Sequence, residues 1–210
     1  MVLARSGERG QVGIGTLIVF MAMVLVAAMA AATLVDVGGL LQSRGDATGQ
    51  EATGQVTNGV TVTGAFAQVT GDTDDALANG TVAEIEIVVA PSSGAGNINV
   101  SRATVDWVGP REAATLRWTD GTPDSEAFTT REVAGGSAEV LSASADRIEL
   151  VVNATAVEEN TDDFSGADDE LYGLHAGAHA ELIITTQYGA STTYWVDIPE
   201  SVEGTSAVRV

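Results

Sequence analysis

From Gln11 to Val35 the chain runs for 25 residues without a charged side chain, and no other feature limits the fold so sharply. As a helix at 1.5 Å per residue, this run spans roughly 37 Å, enough to cross a bilayer core of about 30 Å. Its apolar side chains fall on every helical face, so lipid or other helices must surround it. Burying its fourteen large apolar side chains is worth roughly 20 to 40 kcal/mol relative to water. A subunit free in water with this helix exposed is therefore excluded. Arg5 and Arg9 stand just before the run, which predicts a cytoplasmic N-terminus and an outward-facing remainder.

Three fates are open to such a segment. It can stay as an anchor, or leave as an ordinary secretory signal cut near Ala30-Ala31-Ala32. It can also be cut on its cytoplasmic side and kept as a polymerising helix. An ordinary signal core has about 7 to 15 apolar residues, and this run is longer. Lipid tails are as apolar as leucine, so only close packing can favour a helix bundle over the membrane. Gly13, Gly15 and the alanines permit that packing, with Ala28 and Ala32, then Gly45 and Gly49, as small-xxx-small pairs.

After Asp36 the pattern turns amphipathic. Val37, Leu40, Leu41, Ala47, Ala52, Val56 and Val60 lie near helical spacing, which predicts helix to about Gln55. Val60-Thr61-Val62-Thr63 reads as strand by propensity alone. Asp72 to Asp75 is the expected hinge. Beyond it the period becomes two, with Ile85, Ile87 and Val89 alternating with Glu84, Glu86 and Val88. Further strands are expected over Ile98–Trp107, Ala114–Thr119, Ala127–Val133, Arg147–Asn153, Glu181–Tyr188 and Thr192–Ile198, the last two joined by a hairpin at Gly189. The fold class is α+β, a long hydrophobic N-terminal helix followed by an immunoglobulin-like β-sandwich.

Charge excludes several functions. There are 29 acidic residues against nine basic ones, all arginine, for a net charge of −20. Such a surface repels nucleic acid, whose backbone is held by clustered cations. It also opposes crowding of many copies unless salt screens it, and near 1 M salt the screening length falls to about 3 Å. The composition thus fits very high salt. With no cysteine, disulfides and thiolate metal sites are excluded. No nucleophile triad, phosphate loop or metalloprotease motif is present, so no catalytic residue, metal ligand or cofactor is assigned. His175 and His179 have no clear third ligand. The clusters Asp72–Asp75, Asp162-Asp163 and Asp168-Asp169-Glu170 read as solvated acidic surface.

The stretch from Arg9-Gly10-Gln11-Val12-Gly13-Ile14-Gly15 to Ala28, continued by Leu40-Leu41-Gln42-Ser43 and Ala47–Ala52, resembles the class III signal and N-terminal helix of archaellins, the archaeal flagellins. Bacterial type IV pilins carry Glu at the fifth mature position, where this chain has Gly15. The resemblance implies cleavage between Gly10 and Gln11 by a prepilin-peptidase-like enzyme. The leader holds two arginines and one glutamate, so the mature chain keeps seven bases and 28 acids, or −21. It also extends the helix to about Phe66, roughly 84 Å long. The implied layout is leader 1–10, polymerisation helix 11–68, hinge 69–78 and β-sandwich 79–210.

Implied partners are other archaellins and itself in a helical filament, with the archaellum assembly and motor machinery. The precursor is expected in the cytoplasmic membrane and the product in an extracellular filament used for swimming. Three N-x-[ST] sequons, at Asn79, Asn99 and Asn153, are glycosylation candidates. The alternatives are an archaeal type IV adhesion pilin and a secreted or anchored β-domain protein with an ordinary signal peptide.

Overall fold

A computed structural model describes residues 6–69, 81–158, 173–202 and 205–210, with side chains from Gln11 onward. The chain divides into two compact units, Met1–Gln50 and Glu51–Val210.

The first unit is helical where described. It belongs to α1, Ser6–Thr57, a helix of 52 residues. Leu, Met, Ala and Val dominate its apolar stretch, and Thr16 and Thr33 return their hydroxyls to the carbonyls of Gly13 and Ala30 at 2.9 Å each. The Gln11–Thr57 portion is long and apolar enough to cross a membrane, with a mean hydropathy of 2.6 in its most apolar window.

In the second unit the helix stops at Thr57 and the chain passes through Asn58-Gly59 directly into β1, Val60–Val69. This corrects the expected helix to Phe66. An Asn-Gly pair is a helix stop signal, and β-branched Val60 to Thr63 follow it. Burial then decides the outcome: Val60, Ala65 and Ala67 enter the core while Thr61, Thr63 and Phe66 face out. The connection from helix to β domain is therefore at Asn58-Gly59 and not at 69–78. Of that expected hinge, Asp72, Asp74 and Asp75 lie outside the described residues.

The remaining elements follow in order as β2 (Val82–Pro91), β3 (Ile98–Asn99), a 3-10 turn (Val100–Arg102), β4 (Thr104–Val108) and β5 (Ala113–Trp118). Next come β6 (Ala127–Ala134), β7 (Val140–Leu141), β8 (Arg147–Asn153), the short helix α2 (Ala154–Val157), β9 (His179–Thr185), β10 (Ser191–Asp197) and β11 (Ala207–Arg209). The single strand expected over Ile98–Trp107 is thus broken in two, because Asn99 turns the chain by capping Ser101.

The hydrogen-bonded order is β10-β9-β4-β5-β6-β8-β2-β1-β11, with β3 and β7 as a separate pair. Neighbours in the large sheet run antiparallel except β5 and β6, which meet in parallel over Arg117–Ala127 and Trp118–Phe128. That short junction joins two halves of a curled sheet. The curl brings β10 back to β1, where side chains close the seam: Thr192 Oγ1 donates to Val60 O at 2.7 Å. The expectation of a long N-terminal helix followed by a β-sandwich domain is met.

Alternation predicted the core well. Ile85, Ile87, Val89, Ile148, Leu150, Leu182 and Ile184 are almost fully buried, around Trp107 and Phe128. Trp118 packs at the margin and donates Nε1–H to Thr130 Oγ1 at 2.9 Å, whereas Trp195 and Tyr188 remain exposed.

Candidate polymerisation helix and surface sites

The candidate site is a surface. From Val12 to Val35 every one of the fourteen large apolar side chains is exposed, from 50% at Val24 to 73% at Leu34 and Val35. In water each would order solvent without return, so the stretch demands an apolar environment from outside the chain. Gly13, Gly15, Gly38, Gly39, Gly45 and Gly49 have no neighbouring atom where a Cβ would stand, leaving the helical backbone open to close approach. Gly10 and Gln11, the expected cleavage pair, lie within α1.

The sequons fall in different settings. Asn79 lies outside the described residues, and its Thr81 is buried. Asn99 caps the 3-10 turn, its Oδ1 accepting from Ser101 N at 3.0 Å and Ser101 Oγ at 2.6 Å. Asn153 caps α2, accepting from Ala156 N at 3.0 Å, while its Nδ2 donates to Pro123 O at 3.4 Å. Both are cap positions, where asparagine is favoured for its side-chain oxygen.

One buried polar cluster escaped the sequence reading. Glu158, fully buried, accepts from Trp107 Nε1 at 2.7 Å and Arg111 N at 3.3 Å, and sits 3.6 Å from Arg111 Nε. Arg111 Nη2 in turn donates to Gly173 O at 2.7 Å. Gly109 is required there, since a Cβ would overlap the Glu158 carboxylate. Spacing gives no sign of this arrangement, because 51 residues separate Trp107 from Glu158. His175 is held below its ordinary pKa by burial and then by the Arg111 charge. His179 is exposed at the start of β9.

No group of three or more His, Asp or Glu side chains is placed to hold a metal among the described residues. The acidic clusters at 162–163 and 168–170 lie outside those residues. On the sheet surface Arg131 bridges Glu149 at 2.9 Å and Glu86 at 3.3 Å. Burial and the neighbouring Glu86 raise the Glu149 pKa despite Arg131. This is charge balancing on a crowded acidic face, with no reaction to serve.

Comparison with known proteins agrees with this picture. A family model for archaeal-type flagellin matches residues 10–196. Flagellin B2 of Halobacterium salinarum is 45% identical over 203 residues, covering 97% of this chain and 95% of the relative. Flagellin A1 of Haloferax volcanii is 34% identical over 210 residues, with 94% and 92% covered. Among solved structures, the archaeal flagellum of Methanospirillum hungatei aligns with a TM-score of 0.64 at 17% identity, covering 91% of this chain and 96% of that one. The crystal structure of the flagellin FlaB1 from Methanocaldococcus jannaschii aligns at 0.57 and 16%, covering 72% and 96%. At such identities these two show the shared fold alone. The match over nearly the whole chain decides the family and does not favour an adhesion pilin or an ordinary secreted protein. The chain belongs to the archaeal-type flagellin family: it is a structural subunit of the archaellum filament, of halophilic type, and not an enzyme.

Proposed function

We propose that the chain is made as a membrane-embedded precursor, cut between Gly10 and Gln11 by a prepilin-peptidase-like enzyme, and then packed by its helix into the filament core. The observation that carries this reading is the all-round exposure of Val12 to Val35. Cleavage before Gln11 leaves that surface intact, whereas cleavage near Ala32 would discard it. The β domain, with its own core, stays outside in the aqueous phase, and a separate membrane motor turns the filament for swimming. Lipid and helix bundle are nearly balanced for an apolar helix, so extraction into the filament draws on an energised assembly machine. Sequencing the N-terminus of purified filaments tests the proposal. A start at Gln11 supports it, and a start near Thr33 sinks it.

Glycans at Asn79, Asn99 and Asn153 belong to the same proposal. An N-linked sugar replaces one Nδ2 hydrogen and leaves Oδ1 able to accept. Capping by Asn99 and Asn153 is therefore compatible with modification. A filament subunit whose intact mass equals that of the bare mature polypeptide would rule the glycans out.

A further inference from the structure

We infer that the junction between the helix end and the β domain is a locked joint, closed by the β9–β10 turn acting as a collar. A flexible filament subunit would be expected to bend where the helix gives way to the strand, at Asn58-Gly59. Hinges are short stretches free to change their backbone angles. Here three of the connector's four backbone groups are held, and the Asn58 side chain is held as well. Asn58 N–H donates to Gly54 O at 2.9 Å, which ends the helix, and Asn58 Oδ1 accepts from Gly96 N at 2.8 Å. Asn58 O accepts from Thr186 Oγ1 at 3.0 Å, and Gly59 O from Ser92 N at 3.0 Å. Val60 O is then taken by Thr192 Oγ1.

Two side chains brace the last helical turns themselves. Gly54 is buried although its helical neighbours are exposed, because the Tyr188 ring lies over it: a Cβ at Gly54 would stand 3.5 Å from Tyr188 Cδ1 and 3.3 Å from Asn58 Nδ2. The Tyr188 hydroxyl donates to Asn97 O at 3.2 Å, tying the ring to the 92–97 loop. Gln55 reaches toward Gly189, whose φ of +79° lets the turn fold tightly under it. Thr186, a nearly buried hydroxyl, closes the turn through its backbone as well, donating to Ala190 O at 2.8 Å. Consistent with this, the compact β unit begins at Glu51, so the last two helical turns belong to it.

Bending or twisting applied at residues 51–57 would thus pass into the β domain without being absorbed at the connector. The joint is a property of the folded chain and stands whether or not cleavage occurs at Gly10. Because the chain has no cysteine, spin labels can be placed on the full-length protein through Ala52→Cys with Thr193→Cys, both exposed positions. The expected result is one narrow distance distribution, broadened at least twofold in both Thr186→Val and Tyr188→Ala. A second pair inside the domain, Val133→Cys with Thr193→Cys, should keep its width in every version. A broad Ala52–Thr193 distribution in the parent chain would overturn the lock, as would variants no broader than the parent. Broadening of both label pairs together would also overturn it, because the turn would then be holding the domain and not the joint.

Discussion

The helix and the β domain are both rich in aliphatic side chains, and they use them in opposite ways. Along Val12 to Val35 every large apolar side chain is half or more exposed, while Ile85, Ile87, Leu116, Ile148 and Leu150 expose nothing. One region lacks an inside and becomes stable only in company. The other buries its own core and needs no neighbour. The apolar fraction alone could not separate them, but period does. A strand with period two hides one face and wets the other. A helix that is apolar all round has no face to wet.

Four experiments can break or sharpen this contrast, beginning with the largest effect. A chain starting at Glu51 loses the surface whose burial amounts to roughly 20 to 40 kcal/mol. It should sediment as a soluble monomer in high salt and keep the near-ultraviolet circular dichroism of the β domain. Aggregation, or loss of that signal, would mean the domain is not self-sufficient. Phe128→Ala should do the reverse, lowering β-domain stability by about 3 to 5 kcal/mol in denaturant titration while the helix still partitions into membranes. Equal loss of both would deny their independence.

Next is Glu158→Ala, which leaves Trp107 Nε1 and the Arg111 backbone N–H without their acceptor and the Arg111 guanidinium without its ion-pair partner. A cost of about 3 kcal/mol is expected, since Arg111 keeps partial access to water. A thermal melt unchanged from the parent would show that the cluster contributes nothing. The smallest effect concerns acid. Asp146 accepts from Ala143 N and Ser142 N at 2.8 Å each, and these bonds, Ala143 first, hold its pKa below the ordinary 3.8. A carboxylate with a depressed folded pKa stabilises the fold above its unfolded value and loses that contribution as pH falls through the folded one. The domain should therefore weaken as pH drops below about 3.8, and Asp146→Asn should flatten that part of the curve. A parent curve already flat there would contradict this account. Glu149 works oppositely: its raised pKa means that protonation near and above its ordinary 4.5 relieves first the cost of burying its charge and then the repulsion from Glu86.

Much of this was legible from residue order. The uncharged run and its length require an apolar environment in any fold, and the arginines before it set its expected orientation. Alternation at Ile85, Ile87 and Val89 put the right side chains into the core, and Arg147–Asn153 came out as a strand with the expected ends. The polymerising surface was readable because it is continuous in sequence, with each residue's role set by its immediate neighbours.

Tertiary structure decided what depends on partners far along the chain. Over residues 60–66 local propensity favoured strand, while the family resemblance extended the helix to Phe66. Pairing of β1 with β2 and burial of Val60, Ala65 and Ala67 settled it as strand. The Glu158 cluster joins residues 51 apart, and the bond from Thr186 to Asn58 spans 128. Such contacts exist only after the sheet has curled. Hydrophobic period is a local property that survives in a list of residues, whereas polar satisfaction is a non-local one that the folded chain alone can reveal.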